Sequence, residues 1–243
     1  ETKFIEVNDP ELQSKATLEF QSENDLQTIK EIASWVTSNI TYDFENYYNG
    51  TWSAKQTYNS RRGVCDEFAN LTAAFTRIKK IPTRYVTGIS FDGERFGNHG
   101  WLEVFLQEYG WVGLDSTYLE AGYIDAAHIK LAQSDDANNA INLKIITKSK
   151  NPIKVNTNLE QPDIKVKNTK FFERITDVTL LKPQKVGLSE KFNVDAIVSN
   201  KLNSTILIPV QLVVHEDFQS QQTTRLELFY PFEEKKISFE LVS

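Results

Sequence analysis

Between residues 26 and 40 the apolar positions Leu26, Ile29, Ile32, Ala33, Val36 and Ile40 recur every three or four residues, the period of one helix face. Ser22 and Asp25 resemble a capping box at its start. A second helical face carries Val64, Phe68, Leu71, Phe75 and Ile78, with Arg62-Gly63 in front and the basic pair Lys79-Lys80 behind, where a helix end is negative. The pattern then turns strand-like. Residues 83–89, 100–106 and 111–115 read as three strands of a meander, punctuated by Pro82 and Tyr109-Gly110. A polar stretch containing Asn151-Pro152 follows, and 148–168 reads as a linker. Beyond it, 178–181, 191–198, 205–214, 224–230 and 236–241 alternate or run apolar between turn residues, at the spacing of a β-sandwich. The expected fold class is α+β. Residues 1–147 should pack N-terminal helices on an antiparallel sheet, and 169–243 should form a small all-β sandwich.

Composition narrows the classes open to such a chain. With 243 residues, 40% of them hydrophobic and 25% charged, it can bury a sizeable core and is not expected to be disordered. The longest apolar run, 206–214, is interrupted by Pro209 and Gln211 and is too short to span a bilayer. Residues 1–150 hold 15 Lys/Arg and 21 Asp/Glu, whereas 151–243 hold 12 of each, so the net charge of −6 belongs to the first part. The basic clusters are Arg61-Arg62 and Lys79-Lys80, which is too little for phosphate contacts, and nucleic acid is not an expected partner. The absence of Met and the start at Glu1 suggest a mature or excised fragment. N-x-S/T sites at Asn39, Asn49, Asn70 and Asn203 point toward an extracellular or cell-surface setting, with any surface association made through residues outside this chain.

The single cysteine excludes an intrachain disulfide and, with three widely spaced histidines, a Cys/His zinc cluster. No EF-hand loop is present, and no metal or cofactor is expected. Cys65 sits in the first turn of the second helix, one residue off its apolar face, where free N–H groups and the helix dipole favour a thiolate. Asp66 and Glu67 oppose that effect by like charge. Apparent thiol pKa below that of free cysteine is the expectation, slowed alkylation in His99→Ala its check. A thiol attacking an amide needs a group that takes its proton and later protonates the leaving amine, a task suited to histidine. His215 reads as an exposed strand-end residue and His128 as a surface residue of a helix or loop. His99 differs, because it opens a strand after the loop 92–98. Asp115 ends the next strand, so an antiparallel pairing puts the two side by side.

Arg62-Gly63-Val64-Cys65, Phe68-Ala69, Ile81-Pro82-Thr83-Arg84, His99-Gly100-Trp101-Leu102-Glu103-Val104 and Gly110-Trp111-Val112-Gly113-Leu114-Asp115 together resemble the transglutaminase-like core, in its microbial and archaeal form, over about residues 10–146. The resemblance implies a papain-like triad of Cys65, His99 and Asp115, and with it thiol-dependent acyl transfer or hydrolysis at protein or peptide amide bonds through a thioester. A protein or peptide substrate is the partner it implies. Gly100 stands where the family usually has Ala and could loosen the strand; Ser116 stands where it usually has Pro. The Cys65 amide is the expected oxyanion donor, and Tyr42, Trp52, Asn59 or Asn98 could supply a second. Trp101 could be core or substrate platform, Trp111 reads as core, and Arg84 with Glu103 as a structural pair. The β part resembles an Ig-like module. The competing class is a catalytically silent binding or scaffold protein that keeps the fold for its interactions.

Overall fold

The computed structural model describes residues 1–45, 50–139, 148, 164–168, 170, 173–181, 190–220 and 223–242, so most of the expected linker lies outside the described residues. Helix α1 (Pro10–Glu19) begins at Asp9, whose carboxylate accepts the Glu11 and Leu12 amides at 3.0 Å, while Pro10 presets φ for the first turn. Its buried residues are only Leu12 and Ala16, too few to announce a helix by period. Helix α2 (Asp25–Asn39) is capped by Asn24, which accepts the Gln27 amide at 3.1 Å. Ser22 instead donates to Glu31 at 2.6 Å, so the expected Ser22–Asp25 box does not form. Helix α3 (Ala54–Ser60) carries a capping box, made by Ser53 and Gln56. Two short parallel strands, β1 (Thr41–Tyr42) and β2 (Arg62–Gly63), lead into helix α4 (Cys65–Ile78).

Helix α4 is the centre of the larger core, with every residue from Glu67 to Thr76 buried. Its apolar face is the one the sequence pattern marks: Phe75 lies 5.2 Å from Phe20 and 5.5 Å from Trp35, ring to ring and edge on. Its remaining positions are small, Ala69, Thr72, Ala73, Ala74 and Thr76, which lets neighbours close in on the other sides. Their hydroxyls are satisfied locally: Thr72 shares a 2.8 Å hydrogen bond with Ser116, and Thr76 donates to the Thr72 carbonyl at 3.0 Å. Ser116 therefore ties the end of the sheet to α4, an interaction proline could not make.

Strands β3 (Thr83–Phe91), β4 (Phe96–Leu106), β5 (Gly110–Asp115), β6 (Glu120–Ala121) and β7 (His128–Ser134) form one antiparallel sheet in the order β6-β5-β4-β3-β7. Strand β7 crosses back to pair with β3, placing His128 opposite Ser90. Gly88, opposite His99, leaves room for the Trp101 ring and the Ile129 carbonyl, which would lie 2.4 and 2.2 Å from a Cβ there. Arg84 and Glu103 pair at 2.6 Å, joined by Lys130. Trp111 is not core: it is 43% exposed, with the Arg84 guanidinium 4.0 Å from its ring.

Beyond residue 170 the described elements are strands. β8 (Thr176–Leu180), β9 (Lys191–Asn200) and β12 (Glu234–Val242) form a three-stranded sheet, and β10 (Ile206–Gln211) pairs with β11 (Thr224–Phe229). Ala196, Val198, Phe229, Ile237 and Phe239 make a second hydrophobic cluster, against which Ile206 and Ile208 pack. The alternate residues Leu207 and Leu226 join the larger core instead, so the β10–β11 hairpin is buried on both faces. Asn70 is fully buried and donates to the Trp52 carbonyl, which removes it as a glycosylation acceptor in the folded chain; Asn49 lies outside the described residues.

Candidate active site

The start of α4 is built around Glu67. Its carboxylate reaches back to accept the Val64 amide at 2.9 Å and also accepts the Trp52 amide at 2.7 Å, so one buried side chain caps the helix and holds the preceding loop. Gly63 is needed beside it, since a Cβ there would meet the Glu67 Cβ at 2.3 Å. This packing presents Cys65 half-buried at the first turn of α4. The Gly100 amide of β4 donates to its sulfur. Burial pushes the Cys65 thiol up, and Asp66, whose Oδ1 is 3.9 Å from the sulfur, pushes it further, with Asp115 and Glu67 adding smaller repulsions. The helix dipole does not prevail here. The direction is upward, against the expectation of a depressed pKa, and its causes are burial and Asp66.

Gly100 has its own reason to be glycine. Tyr85 donates to Asp66 Oδ1 at 2.5 Å, and a methyl at position 100 would come within 1.9 Å of the Tyr85 hydroxyl and 2.8 Å of that same oxygen. Strand β4 runs unbroken through Gly100, which pairs with Thr87, so the glycine does not loosen it.

On the sheet, His99 Nε2 lies 2.5 Å from Asp115 Oδ2, both side chains almost fully buried. Asp115 Oδ1 accepts the Thr117 amide at 2.7 Å, which fixes the carboxylate plane. A carboxylate only accepts, so His99 Nε2 donates to Asp115. The Trp101 ring stacks on His99 at 5.8 Å with a 22° tilt, and Tyr118 meets it edge on at 5.2 Å. Trp101 is 3% exposed and packs the imidazole in place; it offers no open platform.

The sequence pattern misplaced His128. Its side chain is 4% exposed and lies 3.3 Å from Asp115 Oδ2 through Nε2 and 2.8 Å from Asp125 Oδ1 through Nδ1, with Glu120 Oε2 at 3.8 Å. It misled because its neighbours 118–127 carry no period, and its strand pairs with β3 rather than with the strand before it. Burial alone would raise the Asp115 carboxyl, yet the hydrogen bonds from His128 and His99 and the Thr117 amide hold it well below the usual carboxylate range. Burial works against a charge on His128 as well, but Asp115 and Asp125 raise its pKa. Glu120 is pushed up to about 7, by burial first and then by the charge of Asp125. The donor atoms of His99, Asp115 and His128, and those of Glu120, Asp125 and His128, each lie within 4.8 Å of one another, close enough to hold a cation. Hydrogen bonds already account for that closeness, and the set reads as a proton network.

The oxyanion candidates scatter. Tyr42 packs its half-exposed ring 6.0 Å from that of Phe68 on α4, and Trp52 is held through its amide by Glu67, so both border the helix start. A small groove there is lined by Asp43, Trp52, Arg62 and Val64. Asn98 is exposed on β4 next to His99, and Asn59 is exposed on α3.

Residues 15–116, which contain Cys65, His99 and Asp115, match the model of the transglutaminase-like superfamily. This segment is similar to a transglutaminase-like core. A solved structure of a candidate cysteine protease from Cytophaga hutchinsonii is similar over 57% of this chain and 46% of its own, at 30% identity and a TM-score of 0.51. A second, named as a TGase, aligns over 48% of this chain and 31% of its own at 20% identity and a TM-score of 0.37. The chain thus spans less than half the length of either. No curated protein matches it. The matched transglutaminase-like segment stops at Ser116, so Glu120, Asp125 and His128 lie beyond it.

Proposed function

We propose that the protein cleaves amide bonds of peptides or proteins with Cys65 as nucleophile, His99 as general acid and base, and Asp115 as the residue that orients the imidazole. The observation that carries this reading is the buried 2.5 Å contact between His99 Nε2 and Asp115, one residue from the Gly100 amide that touches the Cys65 sulfur. With burial and Asp66 pushing the Cys65 thiol up, His99 Nδ1 takes its proton as sulfur attacks the carbonyl carbon, giving a tetrahedral oxyanion near the Cys65 amide. The carbon–nitrogen bond then breaks, the amine leaves with the proton from His99, and a thioester to Cys65 remains. Water attacks the thioester, gives its proton to His99, and the carboxylic acid departs as the sulfur is reprotonated. Hydrolysis is favoured over crosslinking by the likeness to a structure named as a cysteine protease. In the same reading residues 1–147 are the catalytic domain, and 169–243 form an Ig-like module that spaces or positions it at a cell surface.

Wild type and Cys65→Ala, incubated with a glutamine-containing polypeptide and a primary amine and followed by mass, test the proposal. Cleavage that depends on Cys65 is the expected result. An amine adduct would move the reading to crosslinking and a gain of about one mass unit at glutamine to deamidation, because only the acceptor of the thioester differs. No Cys65-dependent change would overturn it in favour of a binding or scaffold role.

A further inference from the structure

We infer that His128 is a positioning residue: a second imidazole, held as a cation, that donates to the same Asp115 oxygen as His99 and keeps that carboxylate ionised. The inference rests on the proposed roles of Cys65, His99 and Asp115. Its first support is a count of protons. Both Nε2 atoms meet one oxygen, Asp115 Oδ2, at 2.5 Å from His99 and 3.3 Å from His128. The acceptor has no proton to give, so both nitrogens donate. His128 Nδ1 faces a second carboxylate oxygen, Asp125 Oδ1, at 2.8 Å, with Glu120 Oε2 at 3.8 Å. It must donate there too. His128 therefore carries both ring protons, and His99 Nε2 carries one.

The second support is what a buried carboxylate requires. The Asp115 side chain is 1% exposed, and a lone ionised carboxylate at such depth would take up a proton. Once protonated it could donate to His99 Nε2, and the imidazole would switch to the tautomer whose Nδ1 bears hydrogen and cannot act as a base. His128 prevents that. The groups facing His128 are Asp115 from β5, Glu120 from β6, Asp125 from the following loop, His99 from β4 and Tyr118 from the turn after β5. Asp115 and Asp125 favour the charged ring, and Glu120, pushed up to about 7, adds to this only as it ionises. Its orientation is fixed by Trp101 at 5.2 Å and Tyr118 at 5.4 Å, both edge on.

The sign of the effect follows from linkage. Asp115 is held ionised by its donors; removing one raises its pKa, so the acid limb of any His99-dependent rate must move to higher pH. The test compares wild type, His99→Ala, His128→Phe, which keeps a ring but no donor, and His128→Gln, which keeps a neutral donor. Alkylation of Cys65 by iodoacetamide is followed from about pH 4 to 9, together with kcat and KM for a cleaved peptide. The expected result for His128→Phe is an acid limb displaced upward by about one unit and a kcat lowered roughly 10- to 100-fold at nearly unchanged KM, with His128→Gln recovering most of it. A His128→Phe profile that overlays wild type while His99→Ala still slows alkylation overturns the role of His128 and leaves the triad standing. Alkylation indifferent to His99→Ala overturns both. In the unmutated protein, nitrogen-15 spectra of the histidines must show both His128 nitrogens protonated at neutral pH; a neutral His128 ring contradicts the inference without any variant.

Discussion

The site has two ends, and each places an aspartate beside a reactive group. On the sheet, Asp115 is surrounded by donors from two imidazoles and an amide, and its charge sets the tautomer of His99. On the helix, Asp66 receives the Tyr85 hydroxyl and, at 3.4 Å, that of Thr51, and its charge lies beside a thiol that it discourages from ionising. In the proposed roles, the same side chain organises a base at one end and restrains a nucleophile at the other. What differs is whether the neighbouring group gains or loses from a negative charge. A thiol kept neutral until an imidazole takes its proton is consistent with a site that relies on general-base transfer rather than on a standing thiolate.

Substitutions that erase this asymmetry should be felt unequally. Asp115→Asn removes the charge from the sheet end and can present an N–H to His99 Nε2, favouring the wrong tautomer; peptide cleavage should fall roughly 10²- to 10⁴-fold in kcat, with circular dichroism unchanged. Retained activity would show that the sheet-end carboxylate is structural. Asp66→Asn should act in the opposite direction. Loss of a charge 3.9 Å from the sulfur lowers the thiol pKa, so iodoacetamide should alkylate Cys65 a few-fold faster at pH 7, and an unchanged rate would remove Asp66 from the account.

The smallest effect expected is on stability alone. Gly100→Ala pushes a methyl into the Tyr85 hydroxyl and should cost about 1–3 kcal/mol in denaturant unfolding, partly recovered in the double variant with Tyr85→Phe. Additive losses in the double variant would show that the two residues do not compete for one space.

How much of this could be read beforehand depended on whether the contact was local. The nearness of His99 and Asp115 is written in the order of two adjacent strands. The apolar face of α4 is written in its period, although that pattern is silent on Ala69, Ala73 and Thr76, which are buried because they are small. His128 could not be read, since its place depends on β7 pairing with β3 some forty residues earlier across an aperiodic stretch. Leu207 and Leu226 belong to the same class: alternation marks them as one face of a hairpin but not which core that face meets. Trp111 misled in the reverse sense, an aromatic on a strand that faces outward under Arg84.

The central claim, that Cys65 carries the acyl group with a proton handled by His99, is tested most directly by trapping. Wild-type protein mixed with a peptide bearing an activated ester and quenched in acid within seconds should gain, by intact mass, one acyl group located at Cys65. Cys65→Ala should gain none, and in His99→Ala the adduct should form and decay much more slowly. An acyl group that still appears in Cys65→Ala, or a wild type that acquires none, would contradict the account.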